Sequence, residues 1–571
     1  MEDIVWTVVE CDDEAAERLA NEIGMPGIIG RLLVNRGITT AAEAARFLNP
    51  SLSHLHDPYL LPDLDAGVDR LAAALKTGER ICVHGDYDVD GVTSTALLVR
   101  ALRALKANVQ YRVPHRRRDG YDIKPHAIDE CAQDGVGLVV TCDCGINAHE
   151  TVNRASELGI DVIITDHHEP GYELPGAVAV INPKRSDSTY PFTGLAGVGV
   201  AFKFAQGLVK KLGLSEEAFV SRFVDLAALG TVGDVVPLLG ENRDIVKYGL
   251  EAIPLSKKIG LRTMLKSTGV DGKTLSAYHL AFVLGPRINA VGRMDDARAA
   301  LDLFLTKDEE EAKSLTLDME RHNTERKAEQ ERILAQAMEQ VSSKDLSSTR
   351  VLVLHHDGWN SGVVGIVAGR ICETFTRPAI LISRDEESGQ GGGSARSICS
   401  FNMLEGLRHC ADLLGRFGGH ALAAGLHIPL ANLDAFEEKI NAYAMDVIPE
   451  EELAPRIEVE AELQPTDINR KLADTLACME PFGEGNPEPM FMSRGFTVLS
   501  RQRVGDGSHL KMRVQGENAP PIDCIAFKLG HLADQLQLGS SVDLCYNIRL
   551  NKFNGSETVQ LVGAAIRPGN R

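Results

Sequence analysis

From Arg80 to about Leu255 the chain alternates between short apolar runs and stretches with helical spacing. The apolar runs cover residues 81–83, 109–113, 138–141, 162–165 and 177–181. Such runs, separated by helices, predict buried strands of a mostly parallel sheet in an α/β domain. Gly91 opens a stretch over 92–105 that reads as the first of those helices. Residues 1–75 read as short helices and turns, with Thr39 or Thr40 capping a helix that runs through Leu48 and ends before Pro50. Residues 284–298 mix Gly, Pro, Arg and Asn and read as a loop. Residues 306–342 set apolar positions at helical spacing among Glu, Lys, Arg and Gln, which predicts a long exposed connecting helix. Runs at 351–354 and 379–383 predict strands of a smaller α/β lobe. From about residue 455 the period becomes two, as at 457–463 and 510–514. Turn signals at Gly505-Asp506-Gly507 and Asn554-Gly555 complete the expectation of a β-barrel. The pattern divides the chain into a helical segment (1–75), a sheet domain (76–300), a connecting helix (301–345), a second α/β lobe (346–450) and the barrel (455–571).

Titratable residues gather where the predicted strands end. The first strand runs into His84, Asp86, Asp88 and Asp90, the third into Asp143, and the fourth into Asp166, His167 and His168. Asp234 follows an apolar helix. Taken singly these are ordinary, since a lone Asp after a strand usually caps a helix and adjacent histidines point to different sides. Together they lie at the carboxyl edge of one sheet, where open α/β sheets place their sites. Two carboxylates ~4 Å apart repel by about 4 kcal/mol at an effective dielectric of ~20, so a cation is needed to hold such a cluster. Carboxylates with imidazoles and no thiolate suit Mn²⁺ or Mg²⁺. Their number suggests two ions with one bridging Asp, and hence metal-assisted hydrolysis of a phosphate ester.

Composition narrows the partners. The net charge of −20 argues against a general nucleic-acid coat but leaves room for a nuclease with a local basic channel. Arg116 and Arg117, in the run Arg112 to Arg118, suit phosphate backbone contacts. Glycine-rich stretches at 391–397 and 417–425 read as loops in which Ser394, Arg396 and His420 could bind a terminal phosphate. On the barrel, Arg501, Arg503, Lys511, Arg513, Lys528, Arg549 and Lys552 could line one face, with Tyr546 and Phe553 available for base stacking. The eleven cysteines are scattered without a CxxC pair, which predicts a reducing, cytoplasmic setting. No apolar run approaches the ~20 residues of a membrane span, so no membrane partner is expected.

These motifs carry a resemblance. The four metal-type stretches resemble the DHH phosphoesterase superfamily, named for the triplet that stands here as Asp166-His167-His168. With the stretch from Leu32 to Gly37, the segment from Pro286 to Arg293, Ser394-Ala-Arg396-Ser397 and the stretch from Phe417 to Gly425, the chain resembles the RecJ family over nearly its whole length. The resemblance implies a DHH domain, a DHHA1 domain after the long helix, and a C-terminal OB-fold that binds single-stranded nucleic acid. It implies 5′→3′ hydrolysis of single-stranded DNA to 5′-mononucleotides by two Mn²⁺ or Mg²⁺ ions, in recombination and repair. His84, Asp88 and Asp143 are the implied ligands of one ion, and Asp90, Asp143, His167 and Asp234 of the other, with Asp86 and Asp166 orienting them. His168 is expected at the scissile phosphate or its water. Arg287, Asn289, Ser394, Arg396 and His420 are expected at the 5′ end of the strand. A monomer that works with single-strand-binding protein and a helicase is implied. Two rivals are a DHH phosphodiesterase of short oligonucleotides or cyclic dinucleotides, and a non-catalytic DNA-binding replication scaffold.

Overall fold

The computed structural model describes residues 4–115, 118–120, 122–294, 296–553 and 556–569. They form two units, one from Met1–Val8 and Asn323–Val459, the other from Val9–His322 and Glu460–Arg571. Strand β1 (Val5–Val8) belongs to the first. Helices α1 (Asp13–Ile23), α2 (Gly27–Asn35) and α3 (Ala41–Leu48) open the second. Thr40 caps α3 in a capping box with Glu43, as its spacing predicts.

Helix α4 (Leu64–Thr77) leads into a five-stranded parallel sheet. Its strands are β2 (Ile81–Gly85), β3 (Val109–Arg112), β4 (Leu138–Cys142), β5 (Asp161–Thr165) and β6 (Ala179–Ile181), in the order β3-β2-β4-β5-β6. Between them run α5 (Val89–Ala104), α6 (Pro125–Gln133) and α7 (His149–Glu157). Alternate strand residues serve two cores. Ile81, Val83, Leu138, Val140 and Ile163 pack with α4, α5 and the later helices α8 (Gly197–Lys211) and α9 (Glu216–Gly233). Cys82, Val139, Val162 and Ile164 pack with α6 and α7. Burial on both faces is why these strands read as unbroken apolar runs. The strand order reverses at β2, so the carboxyl ends of β2 and β4 flank a switch point.

Helices α10 (Gly240–Ala252) and α11 (Ile259–Ser267) follow. The expected loop at 284–298 is a helix instead. A π-turn over His279–Leu284 runs into α12 (Gly285–Met294), and α13 (Arg298–Leu305) comes next. Pro286 lacks an N–H, and its ring falls where the hydrogen-bond register widens from the α pattern, so it does not break the element. The long helix is present as α14 (Glu309–Ser342), and the boundary between the units falls within it.

The first unit holds a mixed sheet of β7 (Leu352–Asp357), β8 (Ala379–Asp385), β9 (Gln390–Arg396), β10 (Arg416–Gly419) and β11 (Ala423–Pro429), ordered β10-β11-β9-β8-β7. Helix α15 (Val364–Phe375) joins β7 to β8, and α16 (Met403–His409) and α17 (Leu433–Val447) pack on the same core. The two glycine-rich stretches are therefore strands rather than loops. Small residues are needed there because a Cβ on Gly391 would sit 2.7 Å from Ile382 of the neighbouring strand. Strand β12 (Arg456–Val459) pairs in parallel with β1.

The barrel comprises β14 (Phe491–Val504), β15 (His509–Gln515), β16 (Ile522–Ala526), β17 (Ser541–Phe553) and β18 (Ser556–Pro568), closed by the β14–β17 pairing and preceded by β13 (Ala461–Glu462) and α18 (Arg470–Ala477). Its core is shared with the chain's beginning: Leu19, Ile29, Leu32, Leu33 and Phe47 pack in one cluster with Phe491, Phe496, Leu510 and Leu544. Buried arginines join the parts of this unit. Arg243 of α10, 2 % exposed, donates to the carbonyl oxygens of Phe47, Cys478, Glu480 and Pro481, and its guanidinium lies 3.9 Å from the centre of the Phe47 ring. Arg36 donates to Glu460 and Asn486 side chains and to the Pro487 carbonyl.

Two expectations for the barrel are corrected. Tyr546 is fully buried against Phe491 and Phe496, its hydroxyl bonded to Ser493 at 2.6 Å, so it cannot stack on a base. The cations do not share a face. Arg501 and Arg503 lie opposite Met512 and Leu510, while Lys511 and Arg513 lie opposite Gln502 and Ser500, on the other side of the pleat. The Asn554-Gly555 turn and the Phe553 side chain lie outside the described residues.

Candidate metal centre

The acids of the first motif arise from one strand-to-helix transition. Helix α5 begins at Val89, not after Gly91, because Asp88 takes the capping position and its Oδ1 accepts the Gly91 N–H at 3.0 Å. Asp90 therefore lies in the first helical turn and is fully buried. Its carboxylate is held from outside: Oδ2 accepts the Gly197 N–H (2.6 Å) and Oδ1 the Val198 N–H (2.7 Å) at the start of α8. A helix N-terminus is a natural seat for an anion.

Asp143 follows β4 with φ of +63°, a left-handed conformation for a residue with a Cβ. Its N–H donates to the Thr165 carbonyl, which fixes the turn. Gly197 makes room for it, since a Cβ there would lie 2.5 Å from Asp143 Oδ1. Asp90 and Asp143 thus meet at the same helix start.

After β5, Asp166 accepts the N–H groups of Ile146, His167 and His168 and pairs with His168 Nδ1 at 2.8 Å. Against the expectation that adjacent histidines point to different sides, this turn sets the two imidazoles edge to face, ring centres 4.5 Å apart, and both reach Asp143. His167 Nε2 reaches Asp143 Oδ1 (3.1 Å), Asp234 Oδ2 (3.5 Å) and Asp90 Oδ2 (3.9 Å). His168 Nδ1 lies 3.9 Å from Asp143 Oδ1. Asp234 caps the carboxyl end of α9.

Three groups of donor atoms result, each with its members within 4.8 Å of one another: Asp86 with Asp88 and Asp143; Asp90 with His167 and Asp234; and Asp143 with His167 and His168. Asp143 is common to two of them. His84 is outside these groups, and Asp86 stands beside Asp88 and Asp143 in its place.

The donors fit divalent ions. Both ring nitrogens of His84 and of His167, Asp143 Oδ1 and Asp234 Oδ2 are buried without hydrogen bonds among the described residues. Burial, with the Asp88 charge, pushes the Asp90 carboxyl up to about 7. Burial and the surrounding carboxylates push Asp143 and Asp234 well above the usual carboxylate range. Burial holds His84 down at about 4 and, with His168 beside it, His167 at about 3, so both imidazoles are neutral and able to ligate. His168 differs: burial opposes its charge, but the Asp166 carboxylate outweighs that and raises it. Cys142 flanks Asp143, yet burial pushes its thiol up to about 12, which removes it as a thiolate ligand.

The raised carboxyls make a prediction for metal-free protein. Between its ordinary value of 3.8 and about 7, Asp90 keeps a proton in the native state that the unfolded chain releases. Stability must then fall as pH rises through that window, by roughly 4 kcal/mol for this group alone. In chelator, the melting temperature is expected to be lower at pH 8 than at pH 5, with Mn²⁺ reversing the drop. Equal melting at both pH values without metal contradicts it.

The remaining expected residues are distributed as follows. Asn289 is half-buried, and its Oδ1 accepts the Val89 N–H at 3.1 Å. Arg287 donates to Glu320 of α14 and to the Val283 carbonyl, both at 2.6 Å. In the other unit, Ser394 and Arg396 adjoin on β9, Arg396 Nη1 lying 3.5 Å from Ser394 Oγ. His420, exposed, lies in the turn before Ala423, which pairs with Arg396. Arg116 and Arg117 lie outside the described residues, and their neighbours are already paired, Arg112 with Glu130 and Asp134, Arg118 with Asp119. Sequence reasoning missed the Gly197 and Val198 amides. Their only signal is a Gly-x-Gly at a helix start, which is common elsewhere.

A parallel α/β sheet with carboxylates and imidazoles gathered at its switch point defines a metal-dependent phosphoesterase of DHH type. Residues 80–231 match the DHH family N-terminal domain, 348–446 the DHHA1 domain and 459–563 the RecJ OB domain. The single-stranded-DNA-specific exonuclease RecJ of Bacillus subtilis is 36 % identical over 98 % of this chain and 70 % of its own. That of Escherichia coli is 35 % identical over 96 % and 97 %. The crystal structure of Thermus thermophilus RecJ with Mn²⁺ superposes with a TM-score of 0.84 at 32 % identity, covering all of this chain and 81 % of the other. A second structure of that protein contains Mg²⁺. The chain belongs to the RecJ family.

Proposed function

We propose that this protein is a single-stranded-DNA-specific exonuclease that works from the 5′ end and releases 5′-mononucleotides. The observation that carries the chemistry is the convergence of Asp86, Asp88, Asp90, Asp143, His167 and Asp234, with Asp143 Oδ1, Asp234 Oδ2 and both His167 ring nitrogens buried without hydrogen bonds among the described residues. The specificity for single-stranded DNA rests on the family. Asp86, Asp88 and Asp143 would hold one ion, with His84 of β2, its ring nitrogens buried without hydrogen bonds among the described residues, as a further candidate donor. Asp90, Asp143, His167 and Asp234 hold the other. Bound there, two Mn²⁺ or Mg²⁺ ions supply activation of a water and neutralisation of phosphate charge.

The chain's own groups do the rest. The α8 amides and Asp166 fix the directions of Asp90 and of the two imidazoles, so that little reorganisation remains when the phosphate arrives. His168, its Nδ1 held by the Asp166 carboxylate at 2.8 Å, is placed to touch the scissile phosphate or its water. Arg287, Ser394, Arg396 and His420, with Arg116 and Arg117, bind the 5′ end and backbone. The barrel holds the strand. In the cell the enzyme acts in recombination and repair as a cytoplasmic monomer, with single-strand-binding protein and a helicase. No helix among the described residues is long and apolar enough to cross a membrane.

The test is a time course on single-stranded DNA labelled at either end, with Mn²⁺ and with chelator, beside a duplex control. Immediate release of the 5′ label as mononucleotide, only with metal and only from single strands, is expected. Untouched long DNA with cleaved dinucleotides would instead identify a short-substrate phosphodiesterase.

A further inference from the structure

Helix α12 touches the metal-bearing loop on both sides of Asp88. On one side, Asn289 Oδ1 accepts the N–H of Val89, the first residue of α5. On the other, Gly292 packs so close that a Cβ on it would lie 2.8 Å from the Tyr87 carbonyl oxygen. The first N–H groups of a helix have no partner within it. Here two side chains divide them: Asp88 takes the Gly91 N–H from within the loop, and Asn289 takes the Val89 N–H from outside. The bracing helix is itself anchored. Ile288, Ala290 and Val291 are buried, and Arg287 is held by Glu320.

We propose that Asn289 is a positioning residue for the metal centre, fixing the first turn of α5 so that Asp88 and Asp90 stay aimed at the ions. This rests on the two-ion reading above and replaces contact with the 5′ end as the role of Asn289. The loop needs an external brace because it concentrates carboxylates that repel until metal arrives. A side chain that orients ligands without touching the ions sets metal affinity, and its loss typically costs about 10–100-fold. It does not set the affinity for DNA.

The experiment is a calorimetric Mn²⁺ titration of wild type, Asn289→Ala and Asn289→Asp, beside exonuclease kinetics on single-stranded DNA at limiting and saturating Mn²⁺. Asn289→Ala is expected to bind Mn²⁺ about tenfold more weakly. Its kcat should fall at limiting metal and recover at high metal, with KM for DNA unchanged. Asn289→Asp keeps an oxygen at the same reach and is expected to restore Mn²⁺ affinity. Should the alanine variant not fold, Asn289→Ser, whose hydroxyl falls short of Val89, repeats the test. Wild-type Mn²⁺ affinity in the variant overturns the proposal, and so does a raised KM for DNA with metal binding intact. Wild-type protein that takes up no Mn²⁺ overturns the metal centre and this inference with it.

Discussion

Asp143→Ala is expected to abolish hydrolysis, by at least about 10³-fold, while leaving binding of single-stranded DNA in place. That loss is about 4 kcal/mol of barrier, the order of what metal-assisted charge stabilisation supplies. Asp143 is singled out because it belongs to two of the three donor groups, so its loss reaches both ions at once. Its place is fixed by the left-handed turn at residue 143, by its N–H to the Thr165 carbonyl, and by the space that Gly197 leaves for its carboxylate. In metal-free protein the same change relieves repulsion with Asp90, Asp88, Asp234 and Asp86. The chelated variant should therefore melt higher than chelated wild type at pH 8. Measured hydrolysis within tenfold of wild type would refute the shared-ligand assignment, whatever the melting result.

Arg243→Ala is expected to destabilise the second unit by about 4 kcal/mol and to lower its melting temperature by several degrees. The guanidinium is buried and serves four carbonyl oxygens, one in α3 and three in the 478–481 turn. Burial pushes it down to about 10, still charged at neutral pH. Alanine would leave those carbonyls unsatisfied beside a cavity under Phe47. The consequence reaches the fate of truncations. Removing the barrel also uncovers Leu32, Leu33 and Phe47, so a deletion from residue 455 should yield aggregating protein rather than a working sheet domain. Circular dichroism melts of Arg243→Ala and the solubility of the deletion check both. A soluble, cooperatively melting deletion would show that the shared core contributes little.

The five parallel strands and their acids were legible because burial on both faces leaves an unbroken apolar run, and because His84 to Asp90, Asp143 and Asp166 to His168 follow such runs directly. The long helix was legible from its spacing. Other features depended on tertiary geometry. Residues 285–294 form a helix despite Pro286, since a widened turn before it absorbs the missing donor. The glycines of β9 sit in a strand because Ile382 fills the space above them. Tyr546, by contrast, falls in phase with Val542, Leu544 and Ile548, all buried, so the alternation itself sets it inward, where its hydroxyl meets Ser493. Asn289 looks like a ligand-binding residue in sequence, and only the fold sets it against Val89. Ser394 and Arg396 were legible only through the family motif, and the antiparallel pairing of β9 sets them side by side.

The core shared by α1–α3 and the barrel also governs the order in which this protein can be finished. Phe47 leaves the ribosome about 400 residues before the first barrel strands that cover it, which at ~5–20 residues per second is roughly 20–80 s of synthesis. During that interval Ile29, Leu32, Leu33 and Phe47 have no permanent cover, while the parallel sheet emerging behind them can already close. The α1–α3 segment is thus among the last parts of this unit to be covered, and its apolar face must be shielded until the barrel strands appear.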